Sequence, residues 1–142
     1  MEDAPDPDED VPEDIRMQID RMGMVRVMKY ENAHGRTPKD MNEVRANHPG
    51  YDIESTDVSG EIRYIEVKSL RGVWGRRGVK VTLTQIETGE KYQRQFWLYV
   101  VARAEVESEA KVIPIQNPVG LVDEFYYDDS WRQLIDDEAK VD

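Results

Sequence analysis

Residues 50–69 read GYDIESTDVSGEIRYIEVKS, and the folding of this stretch decides how the rest of the chain is read. It alternates as two β-strands, with Val58-Ser59-Gly60 supplying the turn between them. The first carries Asp52, and the second ends in Ile65-Glu66-Val67-Lys68. Side chains two apart on a strand share a face, so Glu66 and Lys68 project together while Ile65 and Val67 turn to the other side. With Asp52 alongside, the hairpin gathers two carboxylates and one ammonium. Such a pair of carboxylates suits Mg²⁺ or Mn²⁺, and a lysine beside a bound metal steadies a charged phosphate or orients a water. The same alternation also describes an exposed Glu/Lys edge strand with no chemistry.

The 142 residues suffice for one domain with a real core. Cysteine is absent, which excludes disulfides and thiolate metal sites. No apolar run approaches the length of a membrane span, and the acidic N-terminus is unlike a secretory signal, so a cytoplasmic protein is expected. The net charge of -11 counts against a typical nucleic-acid binder. Part of that charge is local. Residues 1–14, MEDAPDPDEDVPED, predict an acidic, disordered tail ahead of a single domain over 15–142. Twelve arginines against seven lysines on an acidic background resemble proteins of salt-loving organisms, so local patches carry more information than bulk charge.

From Ile15 to His34 the spacing predicts a helix, opened by Pro12, Glu13 and Asp14 and stopped at Gly35. Met17, Met24 and Met28 form its apolar line, with Ile19, Met22 and Val25 widening it, and the methionines read as core packing. Glu31 continues that line and either reaches solvent or joins a site. Residues 35–50 read as a loop with a short helical turn near Asp40 to Val44, and His34 and His48 as isolated loop histidines. After Ser69 comes the one concentrated basic patch, with Arg71, Arg76, Arg77 and Lys80 in a glycine-punctuated loop and Trp74 exposed among them. Guanidinium groups and an aromatic plate suit phosphate contact and base stacking, although charge also solubilises long hairpin loops. Val79 to Leu83 predicts a third strand, and Thr84-Gln85-Ile86-Glu87 a capping box opening a helix through Tyr92. The continuous run Phe96 to Val101 predicts a strand buried on both faces. Val112 to Ile115 predicts another strand and Ser130 to Ala139 a terminal helix. The expected class is therefore α/β, a mixed central sheet flanked by helices.

Several words of this sequence carry a resemblance. They are Met28-Lys29-Tyr30-Glu31, Gly35-Arg36-Thr37-Pro38, Gly50-Tyr51-Asp52-Ile53 with Ser55, Arg63-Tyr64-Ile65-Glu66-Val67-Lys68, Leu83-Thr84 with Glu87, Trp97-Leu98-Tyr99-Val100-Val101 and Asn117-Pro118. Asp on one strand and E-x-K on the next resembles the PD-(D/E)xK restriction-endonuclease-like superfamily. More narrowly, Ile19 to Leu121 resembles the NO VEIN C-terminal domain family, a domain of unknown function.

The resemblance implies a restriction-endonuclease-like three-layer sandwich and a metal-dependent nuclease. Asp52 and Glu66 would bind Mg²⁺ or Mn²⁺, Lys68 would assist the attacking water, and Glu31 would add a carboxylate. The basic loop of Arg71, Trp74, Arg76, Arg77 and Lys80 would then contact the nucleic acid, with DNA favoured over RNA. Domains of this kind often accompany helicases and ATPases, including ones linked to DNA metabolism and phage defence, and many nucleases of the fold act as homodimers. Two positions depart from the pattern. Met24 stands where many relatives have a glutamate, and the L-T-x-N-E word reads Leu83-Thr84-Gln85-Ile86-Glu87. Those departures are also what a degenerate site would show, so the alternative is a nucleic-acid- or protein-binding module of the same fold.

Overall fold

The computed structural model describes residues 6–46, 50–75 and 79–119. Its elements are, in order, helix α1 (Glu13–Ala33), strand β1 (Thr37–Asp40), the one-turn helix α2 (Met41–Val44), strands β2 (Ile53–Thr56) and β3 (Ile62–Ser69), helix α3 (Leu83–Tyr92), a 3-10 turn (Gln93–Gln95), and strands β4 (Phe96–Ala102) and β5 (Lys111–Gln116). The five strands form one mixed sheet whose spatial order is the order of the sequence. All neighbours are antiparallel except β3 and β4, which run parallel in the register Glu66↔Leu98 and Lys68↔Val100. A parallel pair needs a crossover, and the segment containing α3 supplies it.

The central hairpin forms as its sequence predicts. Ile53 pairs with Ile65 and Thr56 with Ile62. In the turn, Asp57 Oδ1 accepts from the N–H groups of Ser59 and Glu61, and Gly60 takes the positive φ of 92° that a side chain resists. Strand β4 is buried along nearly its whole length, as a continuous apolar run requires. Its alternate residues serve the two faces of the sheet. Tyr99 and Val101 meet Ile19 and Val27 of α1, together with Ile53 and Ile65. Phe96 packs with Ile86 of α3, Tyr51 and Val119, while Leu98 and Val100 pack with Val79. The sheet is thus covered by α1 on one face and by α3 on the other, a mixed α/β arrangement.

Several local expectations need correction. The buried line of α1 is Ile19, Gly23, Val27 and Glu31, while Met17, Met22 and Val25 are exposed. Gly23 sets that line because it lies where any Cβ would collide with Ser69 of β3. Residues 37–40, expected as loop, form β1 by pairing with β2. Val79 to Thr82 is not a strand, and Leu83 opens α3. The capping box is Thr82 with Gln85, two residues earlier than expected: the Thr82 hydroxyl accepts from Gln85 N–H, and Gln85 Oε1 accepts from Thr82 N–H. The tail is not free from residue 6 onward: residues 7–10 form a turn, and α1 starts at Glu13. His48 and the helix expected over Ser130 to Ala139 lie outside the described residues.

Candidate active site

Asp52 enters its position through three elements. Its N–H donates to Ile65 O of β3 and its carbonyl accepts from Met41 N–H of α2, each at 2.8–2.9 Å. Its carboxylate is fixed on both sides: Oδ2 accepts from Val67 N–H at 2.9 Å and Oδ1 from Asn42 Nδ2 at 3.2 Å. Asn42 is placed in turn by Asp40, which caps α2 by accepting from Asn42 N–H. The β1–α2 corner is therefore the buttress of Asp52. Sequence reasoning passed over that role, because Thr37-Pro38-Lys39-Asp40 shows no apolar alternation.

Glu66 stands across the β2–β3 ladder from Asp52 and is buried at 7% exposure. Lys68, two residues on and on the same face, places Nζ 3.4 Å from Glu66 Oε2. Burial pushes the Glu66 carboxyl up, the Asp52 charge pushes it further, Lys68 offsets part of this, and the pKa stands at about 8. Lys68 is the ammonium that faces this pair, of which Glu66 is buried and Asp52 half-buried. Asp52 Oδ1 and Oδ2 each accept one of the bonds from Asn42 and Val67, and the carboxylate also lies within hydrogen-bonding reach of Glu66, so the two acids sit side by side. Two carboxylate donors with room for water match what a small hard divalent cation accepts, since Mg²⁺ keeps several waters and takes one or two carboxylates. Among the described residues no group of three or more His, Asp or Glu side chains converges as a metal cluster.

These side chains open into a cleft of about 1440 Å³, whose wall also includes Asp8, Arg16, Asp20, Met24 and Lys80. Asp20 is the carboxylate that sequence reasoning missed. It lies one helical turn before Met24 and pairs with Arg16 at 3.4 Å. Burial raises its pKa; Arg16 and Lys68 pull it back down, and the Asp52 charge pushes it up, so Asp20 lies within the field of the hairpin charges. Its signal in the sequence was the Arg16–Asp20 spacing on the turn ahead of the apolar line.

Glu31 is elsewhere, and it faces neither solvent nor this cleft. It is fully buried on the α1 side of the sheet, the face opposite Glu66. Arg36 grips it with two bonds of 2.6 and 2.8 Å, and Tyr99 donates to Oε2 at 2.8 Å. Burial alone would raise the Glu31 pKa, but the bonds from Arg36 and Tyr99 more than offset it and the net shift is downward. Tyr99 also accepts from Arg63, whose guanidinium lies 3.8 Å over the Trp97 ring. Glu31 thus anchors the end of α1 to the sheet.

The basic patch is only partly gathered. Arg71 is held by Glu105 through two bonds, at 2.7 and 3.2 Å. Trp74 is half-buried against both α3-side cores rather than exposed, because Val79, Leu98 and Phe96 offer its ring more apolar contact than solvent does. Lys80 is exposed at the cleft rim. Arg76 and Arg77 lie outside the described residues.

With this geometry in place, comparison with known families is decisive. The model of protein NO VEIN, C-terminal, matches residues 19–115, more than half of the chain. The chain belongs to the NO VEIN C-terminal family. No curated protein and no solved structure matches it. The matched span contains Asp20, Asp52, Glu66 and Lys68, together with every strand but the last residue of β5. No described helix of this family member is long and apolar enough to cross a membrane.

Proposed function

We propose that this NO VEIN C-terminal domain is a Mg²⁺- or Mn²⁺-dependent phosphodiesterase of PD-(D/E)xK type that acts on nucleic acid, DNA before RNA. The observation that carries the reading is the Asp52–Glu66–Lys68 group: two carboxylates and an ammonium brought together by β3 and the residue ahead of β2, lining one cleft, with Glu66 buried. The covering of the mixed sheet by α1 and α3 supports a restriction-endonuclease-like sandwich as its lineage. Asp52 and Glu66 would hold the metal, with Asp20 on the wall able to reach it through water. When bound, the metal would supply Lewis-acid polarisation of the phosphoryl group. Lys68 orients the attacking water and offsets charge that builds on the phosphate oxygens. Asn42 and Val67 N–H hold Asp52 in one orientation, which spares the reaction that reorganisation. A helicase or ATPase would deliver the strand, and a second copy would be needed to cut both strands of a duplex. DNA metabolism or phage defence is the setting that fits.

Calorimetric titration with Mn²⁺ tests this. The native protein should show saturable binding that is lost in both Asp52→Asn and Glu66→Gln. Native protein that stays folded and takes up no metal would sink the nuclease reading. A second reading, a binding module that keeps the hairpin without cleaving, draws on the lack of a third converging carboxylate among the described residues. It predicts nucleic-acid binding in EDTA that Lys68→Ala leaves unchanged.

A further inference from the structure

The segment that follows β3 presents an anion site that the chain fills with itself. Leu70 N–H donates to Val101 O, while Ala104 and Arg103 N–H donate to the carbonyls of Leu70 and Gly72. This backbone pairing fixes residues 70–72 and turns the N–H groups of Arg71 and Gly72 outward. Both are taken by one carboxylate from the acidic tail: Arg71 N–H donates to Asp8 Oδ1 at 2.8 Å and Gly72 N–H to Oδ2 at 3.1 Å. Arg16 adds a third donor, Nη1 to Asp8 Oδ1 at 3.2 Å. Its other terminal nitrogen, Nη2, is tied to the Ser69 carbonyl and Nε pairs with Asp20, so the guanidinium is held in place. The Asp8 side chain is only 11% exposed, an unusual state for a surface acid and one that three donors explain. Pro7 sits directly on Gly72, where a Cβ would come within 2.4 Å of the Pro7 Cγ. Asp8 and Arg16 line the same cleft as Asp52, Glu66 and Lys68.

The geometry points to a phosphate-binding subsite made of Arg71 N–H, Gly72 N–H and the Arg16 guanidinium, which receives a phosphate group of a nucleic-acid strand when Asp8 withdraws. Two adjacent backbone N–H groups and a fixed guanidinium are donors that suit phosphate oxygens as well as they suit a carboxylate. The Arg71 guanidinium, committed to Glu105, is not part of the subsite. The inference rests on the nucleic-acid reading above and deepens it. The tail competes with the ligand for these donors, so binding and tail release are coupled.

The test needs no metal. The 142-residue chain in EDTA is titrated with inorganic phosphate while the Arg71 and Gly72 amide resonances are followed, and separately with a labelled oligonucleotide. Asp8→Ala should make both amides shift saturably with phosphate and should tighten the oligonucleotide about tenfold at low salt. Adding Arg16→Ala to that variant should remove the gain. Gly72→Ala, which displaces Pro7 and leaves all three donors, should act like Asp8→Ala and serves if the latter is poorly folded. Folded variants that show neither effect overturn the subsite. Phosphate saturation without tighter oligonucleotide binding would assign it to free phosphate and overturn the strand-binding claim. Because Mn²⁺ uptake by Asp52 and Glu66 is measured apart from phosphate, loss of one reading is distinguishable from loss of the other.

Discussion

Glu31 shows what one buried charge does when it is fully matched. Removing it leaves Arg36 and the Tyr99 hydroxyl without their acceptor, and breaking a buried pair from one side costs about 3 kcal/mol. Glu31→Ala should lower the urea midpoint accordingly. The pH dependence has a definite sign. The folded pKa of Glu31 is lowered from 4.5, so its contribution is complete above the unfolded value and is lost as pH falls through the folded one. Urea unfolding between pH 6 and pH 3 should show that loss, and Glu31→Gln should flatten it. Glu66 is the converse case. It is buried beside a second carboxylate with only Lys68 to balance it, so the site is held at a cost to the fold. In EDTA, Glu66→Gln should raise the thermal midpoint, and Mn²⁺ should raise that of the native protein but not of the variant. A variant less stable than the native protein in EDTA would contradict this.

At the scale of elements, α1 lies directly against β3 at Gly23. A methyl group there would overlap the Ser69 hydroxyl, with Oγ at 1.6 Å and Cβ at 2.7 Å. Alanine would help the isolated helix by about 1 kcal/mol, but the overlap forces the helix off the sheet. Gly23→Ala should therefore destabilise by about 2 kcal/mol, and Ser69→Gly in the same chain should restore much of the loss. The elements that were legible in the sequence are those whose own side chains specify them. Residues 53–69 alternate around a turn, and Phe96 to Val101 is apolar throughout. The others depend on partners. Thr37 to Asp40 becomes a strand only because β2 offers it an edge. Val79 to Leu83 alternates equally well, yet β3 is already flanked by β2 and β4 and has no edge left to give. Glu31 was ambiguous for the same reason. Its partner Arg36 returns to it only because Gly35, at φ 77°, turns the chain back. Asp52 and Glu66 were legible as a pair from strand spacing, whereas Asp20 entered through the angle at which α1 lies on the sheet.

The molecule as a whole carries a net charge of -11, and self-repulsion of that size opposes compaction. Salt screens exposed charges over about 8 Å at physiological strength and over less at higher concentration. Raising NaCl from about 0.1 to about 1 M should raise the thermal midpoint; an unchanged or lower midpoint would show that the acidic surface carries no such penalty. The spatial order of the sheet, β1 to β5 in sequence, has a further consequence. A nascent chain leaving the ribosome can add each strand to the one just formed, with a single long wait at the parallel crossover between β3 and β4. The hazard comes at the next step. Until Lys111–Gln116 emerges, Phe96-Trp97-Leu98-Tyr99-Val100-Val101 presents an apolar, hydrogen-bond-hungry border to solvent. A chain stopped at residue 110 should accumulate as insoluble aggregate and not as a weaker monomer, with β5 acting less as a fifth strand than as an intramolecular chaperone for the fourth.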